Sequence, residues 1–227
     1  MAVVRTNGSR QELPATLVEL ATNRLRDAIL SGNLQPGEKV LEEQLCVEFG
    51  ISRAPLREAL RLLSQQGLVE HLPRRGSRVT DWSPSDILQL FALRHVLERH
   101  AVETALPMPD PESALEPVRA ALEGMRCATD ELGRDDAHRR FHAAVVELAD
   151  NRQLNIALEP ILLKLQLPMA MNLRHEAHHH RAGDGLRRHQ AIVTALATND
   201  PATAMAALDD HGELHYLDLD SEQHRDR

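Results

Sequence analysis

Four histidines in this chain occupy helix positions where apolar residues belong. His138 and His142 are four residues apart, so on a helix they stack one turn apart on the side that also carries Val145 and Ala149. His189 opens the series His189, Ile192, Val193, Leu196, and His211 sits within Ala204, Ala207, Leu208, His211, Leu214. Both series follow the i, i+3, i+4, i+7 spacing of one helix face. A lone histidine in such a slot is ordinarily a core residue bonded to a carbonyl. Several without a shared partner would each cost about 1 to 3 kcal/mol in unmet hydrogen bonding. One ion shared by His138, His142, His189 and His211 removes that cost, and neutral imidazole suits a divalent transition metal, Zn first and Ni as the alternative. Arg94 falls on the face of Leu90, Leu93, Leu97 and Ala101, where an unpaired guanidinium would be costly. A glutamate of the chain or an anionic ligand must meet it. The functional reading is a clamp on the carboxylate of a small ligand whose second oxygen reaches the metal. No catalytic residue is assigned: no Asp or Glu stands beside the histidines at the fixed spacing HExxH provides for a general base.

A second set of residues carries a different chemistry. Arg53, Arg57 and Arg61 are four apart on a helix whose apolar face is Leu56, Ala59, Leu60 and Leu63. The arginine stripe is therefore expected to face out. Ser52 is placed to cap that helix, and Pro55 lies in its first turn. Downstream, PRRGSR puts Arg75 and Gly76 in a basic tip between two short strands. Cap, stripe and tip together suit the major groove and phosphates of double-stranded DNA.

These residues need elements to position them. The predicted order is a helix through Leu17, Leu20, Ala21, Leu25, Ala28 and Ile29, a turn at LQPGEKV, a short helix marked by Leu41, Leu45 and Phe49, and the arginine-bearing helix. A hairpin of Leu68–Leu72 and Arg78–Thr80 completes this part. Beyond it the chain reads as all helix: 84–106, 111–129, 135–149, 152–175, 185–197 and 201–217, with breaks at PMPDP, GRDD, ADN, RAGDG and TNDP. The fold class is mainly α, a winged helix-turn-helix over 1–80 followed by an all-α bundle over 84–218, with 219–227 as a tail. Charge divides the same way, net +2 over 1–80 and net −10 over 81–227 of a total of −8. Aromatics at 2% argue against a base-stacking single-strand binder. No apolar run is read as a membrane span and no secretory leader is seen at the N-terminus, so the expectation is a cytoplasmic protein with no membrane partner. Cys46 and Cys127 read as small buried hydrophobes. His178, His179 and His180 read as a solvated loop, and His71, His95, His100, His175, His215 and His224 receive no role.

The stretch LRDAILSGNLQPGEKVLEEQLCVEFGISRAPLREALRLLSQQGLVEHLPRRGSRVT resembles the winged helix-turn-helix of GntR-family bacterial transcription regulators, above all in PGEKV, SRAPLREAL and the basic RG wing. The resemblance implies that Arg53 and Arg57 contact the operator, with Ser52 on phosphate and Gly76 at the wing. Glu43 stands where some members carry an arginine, and that contact does not transfer. HRRFHAAVVELADN, RRHQAIVTAL and MAALDDHGEL resemble the ligand-bearing helices of the FCD effector domain in the FadR-like branch. That domain typically has an Asp four residues before the FH histidine; here the position is His138, and Asp135 and Asp136 are out of register. The expected function is a ligand-responsive regulator, a homodimer on a palindromic operator, with metal-ion sensing or a metalloenzyme carrying a DNA-binding module as the alternatives.

Overall fold

In the computed structural model, residues 16–178 and 184–212 are described, without the side chains of 131, 132, 172–178, 184 and 212. Helix α1 (Leu17–Leu30) starts at Thr16, whose hydroxyl accepts from the Glu19 amide while the Glu19 carboxylate accepts from the Thr16 amide. This reciprocal cap satisfies amides that a helix start leaves unpaired. Strand β1 (Lys39–Val40) leads into α2 (Glu42–Phe49), which Gly50 ends in the left-handed region at φ 64°. Helix α3 (Arg53–Gln65), β2 (Val69–Leu72) and β3 (Gly76–Val79) follow. The sheet has order β1-β3-β2, antiparallel throughout, pairing Val40 with Ser77 and Glu70 with Arg78. Leu25, Ile29, Leu56, Ala59, Leu63, Leu68 and Val79 form the dry centre of this part.

Three expectations for the N-terminal part are corrected. PGEKV supplies the third strand of the wing as well as a turn, its pairing partner β3 lying nearly forty residues downstream. Leu17 and Leu20 share the helical spacing yet are 57% and 45% exposed, because the first turn of α1 lies beyond the core. Ser52 occupies the N-cap position of α3 with extended backbone, but its hydroxyl makes no cap hydrogen bond. Pro55 is the third helical residue, so an amide that a capping serine ordinarily meets is missing.

The C-terminal part comprises α4 (Pro84–Ala105), α5 (Pro111–Ala114), α6 (Glu116–Cys127), α7 (Glu131–Glu147), α8 (Arg152–His178), α9 (Asp184–Ala197) and α10 (Pro201–Gly212). The helix expected over 111–129 is broken near Leu115, since Pro117 cannot donate to the preceding turn. The break expected at GRDD lies earlier: Asp130 caps α7 by accepting from the Gly133 amide at 2.6 Å, so GRDD is helical. Residues 179–183 and 213–227, with His179, His180, His215, His224, Leu214 and the expected tail, lie outside the described residues. Neither cysteine is a fully buried hydrophobe. Cys127 is exposed at the end of α6, and Cys46 is half-buried on α2, a short surface helix. Leu93 is also exposed, whereas Leu90 and Leu97 are half-buried and Ala101 is buried.

Helix α8 ties the two parts together. Leu158 and Leu162 pack with Ala101 and Val146, and Ile161, Leu165 and Met169 pack with Ile87 and Phe91. Leu167 and Ala170 join the hydrophobic cluster of the winged helix. Gly67, at φ 75°, lies under Lys164, where a Cβ would come within 2.8 Å of Lys164 Cγ. Contrary to expectation, the segment Arg152–Met171 is long and apolar enough to cross a membrane, with mean hydropathy 1.2. Half of it is buried against the rest of the chain, as in the core helix of a folded domain.

Candidate metal centre and nucleic-acid interface

Helices α7, α9 and α10 bring His138, His142, His189 and His211 together in the interior, all four buried. His142 Nε2 is 3.1 Å from His138 Nε2 and 3.3 Å from His189 Nε2. One ligand atom from each of these three lies within 4.8 Å of the others. A tetrahedral ion with Zn–N bonds of about 2.0 to 2.1 Å places its ligand atoms about 3.3 Å apart. His211 borders this trio, its ring stacked on His142 at 5.4 Å and edge-on to His189 at 4.7 Å.

The outer nitrogens define what the inner ones can offer. His142 Nδ1 is 2.6 Å from Glu98 Oε1, and His189 Nδ1 is 2.6 Å from the Gly185 carbonyl. The Gly185 carbonyl only accepts, so His189 Nδ1 carries the proton; burial raises the Glu98 carboxyl while Arg94 pulls it down, and with that carboxyl ionised His142 Nδ1 carries the proton too and both Nε2 atoms present lone pairs. One N–H from His138 can serve one of them. Two lone pairs still face each other at 3.3 Å, an arrangement that a cation relieves. A proton is poorly suited to that role, because burial holds the imidazoles of His138, His142 and His211 well below their usual range and lowers His189 to about 4. The donor set and spacing therefore fit a nitrogen-bound divalent ion.

Arg94 lies beside the histidines, 1% exposed on α4. Its Nε is 3.3 Å from Glu98 Oε1, close enough for charge pairing but not aligned as a hydrogen bond, and its Nη2 is 3.4 Å from His211 Nε2. The guanidinium also sits 5.0 Å over the Phe91 ring. The glutamate that could meet it in the chain is thus Glu98, which helical spacing alone did not single out although it lies one turn from Arg94. A small cavity of about 10 Å³ adjoins, lined by Arg94, Asp135 and His138 and by Leu165, Gln166 and Met169 of α8. Asp135 is 4% exposed; burial pushes its carboxyl up to about 7, against the pull of Arg139 and with a further push from Asp136. Its spacing marks it out of register with the histidines, and only the packing of α8 shows that it faces this cavity.

At the opposite end of the chain, Arg53, Arg57 and Arg61 are exposed along α3. Each meets a carboxylate: Arg53 Nη2 is 2.5 Å from Glu43, Arg57 Nε is 2.9 Å from Glu42, and Arg61 Nη2 is 2.6 Å from Glu58. Exposed Arg75 lies in the turn joining β2 to β3 and half-buried Gly76 opens β3, with Arg74 at φ 64° and Gly76 at φ 88°. Glycine adopts that conformation without strain. Between α3 and this turn runs an open groove of about 660 Å³, walled by Arg57, Arg61, Ser64, Arg74 and Gly76. Ser52 lies at the start of α3 beside Arg53.

Two families match the chain over separate ranges. Bacterial regulatory proteins of the gntR family match residues 17–79, and the FCD domain matches residues 89–214. The chain is 31% identical to YdhC, an HTH-type transcriptional regulator of Bacillus subtilis (strain 168), over 80% of this chain and 81% of that one. It is 26% identical to the gluconate operon transcriptional repressor of the same organism, over 81% and 77% respectively. A crystal structure of a GntR transcriptional regulator from Rhodococcus sp. RHA1 superposes with a TM-score of 0.69 at 27% identity, covering 86% of this chain and 93% of that one. The outward arginines and basic wing, joined to a helical bundle of FCD type, belong to a DNA-binding transcription regulator and not an enzyme: the chain is a member of the GntR family.

Proposed function

We propose that this regulator is a homodimer of cytoplasmic chains that binds a palindromic operator and is tuned by a small carboxylate held at a metal site in its helical part. The domains in this reading are 1–80 for DNA and 84–218 for metal and effector, with 219–227 as a tail. His138, His142, His189 and His211 hold the ion, Zn before Ni, and Arg94 holds the effector carboxylate. The ion supplies a Lewis-acidic point for a ligand oxygen. Ser52, Arg53, Arg57, Arg75 and Gly76 contact the operator, the arginines of α3 in the major groove and the wing on phosphate or the minor groove. The observation that carries the effector half is the burial of Arg94 beside two imidazole lone pairs that face each other. Helix α8 supports coupling, since Leu165, Gln166 and Met169 line the cavity while Leu167 and Ala170 pack with the winged helix. A ligand larger than the cavity must displace α8 to enter, and α8 carries the DNA-binding part with it. The experiment is titration of operator affinity with metal and with candidate carboxylates separately, on wild type and Arg94→Ala. The proposal expects Arg94→Ala to retain the metal and lose the response to acid. A wild-type response to metal alone would make the chain a metal-ion sensor instead.

A further inference from the structure

We propose that Glu98 is the positioning residue of the histidine centre, fixing His142 so that its Nε2 faces the ion. The inference rests on the metal reading above and adds a residue to it from a fourth helix. Glu98 lies on α4, which supplies none of the four histidines, and it is 1% exposed. Its Oε1 accepts from His142 Nδ1–H at 2.6 Å, in the geometry by which outer carboxylates orient metal-bound imidazoles. No other hydrogen-bonding partner holds the outer edge of that ring among the described residues: the contacts of His142 with His138 and His189 are made through Nε2. Glu98 Oε1 also lies 3.3 Å from Arg94 Nε, so one carboxylate touches both the proposed effector clamp and the proposed ligand shell.

The test uses the full chain. Metal affinity is measured by competition with a chromophoric chelator for wild type, Glu98→Gln and Glu98→Ala, with the melting temperature of each metal-free protein recorded alongside. Glu98→Ala should bind Zn about 10 to 100-fold more weakly, and Glu98→Gln by a smaller factor, because an amide oxygen still accepts from Nδ1–H. A purely structural role would lower the metal-free melting temperature and leave the affinity of the folded protein unchanged; that result overturns the proposal. A measurement without a Glu98 variant guards against misfolding. In ¹⁵N spectra of histidine-labelled, metal-free wild type, with His142 identified by the loss of its signals in His142→Asn, the Nδ1–H tautomer is expected and the Nε2–H tautomer overturns the role of Glu98. Absence of Zn binding by wild type would instead overturn the metal centre, and the tautomer would still decide whether Glu98 orients His142.

Discussion

Replacing Asp135 by Asn should stabilise the metal-free protein, and by an amount that depends on pH. Asp135 is buried in the wall of the cavity, where its carboxyl titrates at about 7 instead of 3.8. Below 3.8 the group is protonated in both folded and unfolded chains and costs nothing. As pH rises from 3.8 to about 7, the unfolded chain releases the proton while the folded chain retains it, so stability falls; above about 7 the loss is complete and constant. At 1.4 kcal/mol per pH unit the full loss is about 4 kcal/mol. Asn keeps the shape without the charge, which gives a gain of about 2 to 4 kcal/mol at pH 8 and roughly 5 to 15 °C in melting temperature. Calorimetric melting of chelator-treated wild type and Asp135→Asn at pH 5 and pH 8 is the assay. Stripping the metal matters, because a nearby cation would hold the carboxylate ionised. A variant no more stable than wild type at pH 8, or an equal gain at both pH values, would refute the argument from burial.

The remaining predictions concern the other parts of the fold. Arg53→Ala or Arg57→Ala should weaken operator binding about 5 to 150-fold if the lost contact is to a base, or reduce the salt slope by about 1 if it is to phosphate, read by fluorescence anisotropy across salt concentrations. Unchanged binding at every salt concentration removes that arginine from the interface. Chelation, or His142→Ala, should lower the melting temperature by about 10 °C, since a ligand present at a thousand times its Kd stabilises the native state by about 4 kcal/mol; elemental analysis must show the metal gone, and an unchanged melting temperature then counts against the centre. Leu63→Ala, which empties a fully buried site between α1 and α3, should cost about 2 to 5 kcal/mol in urea unfolding.

Much of this was legible because helical periodicity is local. The spacing of His189, Ile192, Val193 and Leu196 assigns the histidine to a buried face with no knowledge of its neighbours, and the same holds for the arginine stripe adjoining the face of Leu56 and Leu63. Arg94 stood out as a charge among leucines. Glu98 carried the same signal, one turn further along the same helix, but its bond to His142 depends on how α4 lies against α7, which periodicity does not encode. Strand β1 was missed for the same reason, its two residues being held only by pairing with a strand far along the chain. Local chemistry misled at Ser52, where a good capping residue meets a proline in place of an amide donor. It misled again at GRDD, where polar and glycine residues read as a break are the first turns of a helix capped by Asp130.

The sharing of α8 between the two parts of the chain bears on how such regulators can be recombined. A winged helix cut out at residue 83 would lack Leu167 and Ala170, leaving part of its own hydrophobic cluster open to water, and would also lose the Lys164 stem that covers Gly67. The DNA-reading part is therefore not a detachable cassette. A chimera that grafts it onto another effector bundle should fold well only if the incoming helix presents small and aliphatic residues where Leu167 and Ala170 stand. A larger residue in place of Gly67 should hinder the graft even with every residue that touches DNA or ligand retained.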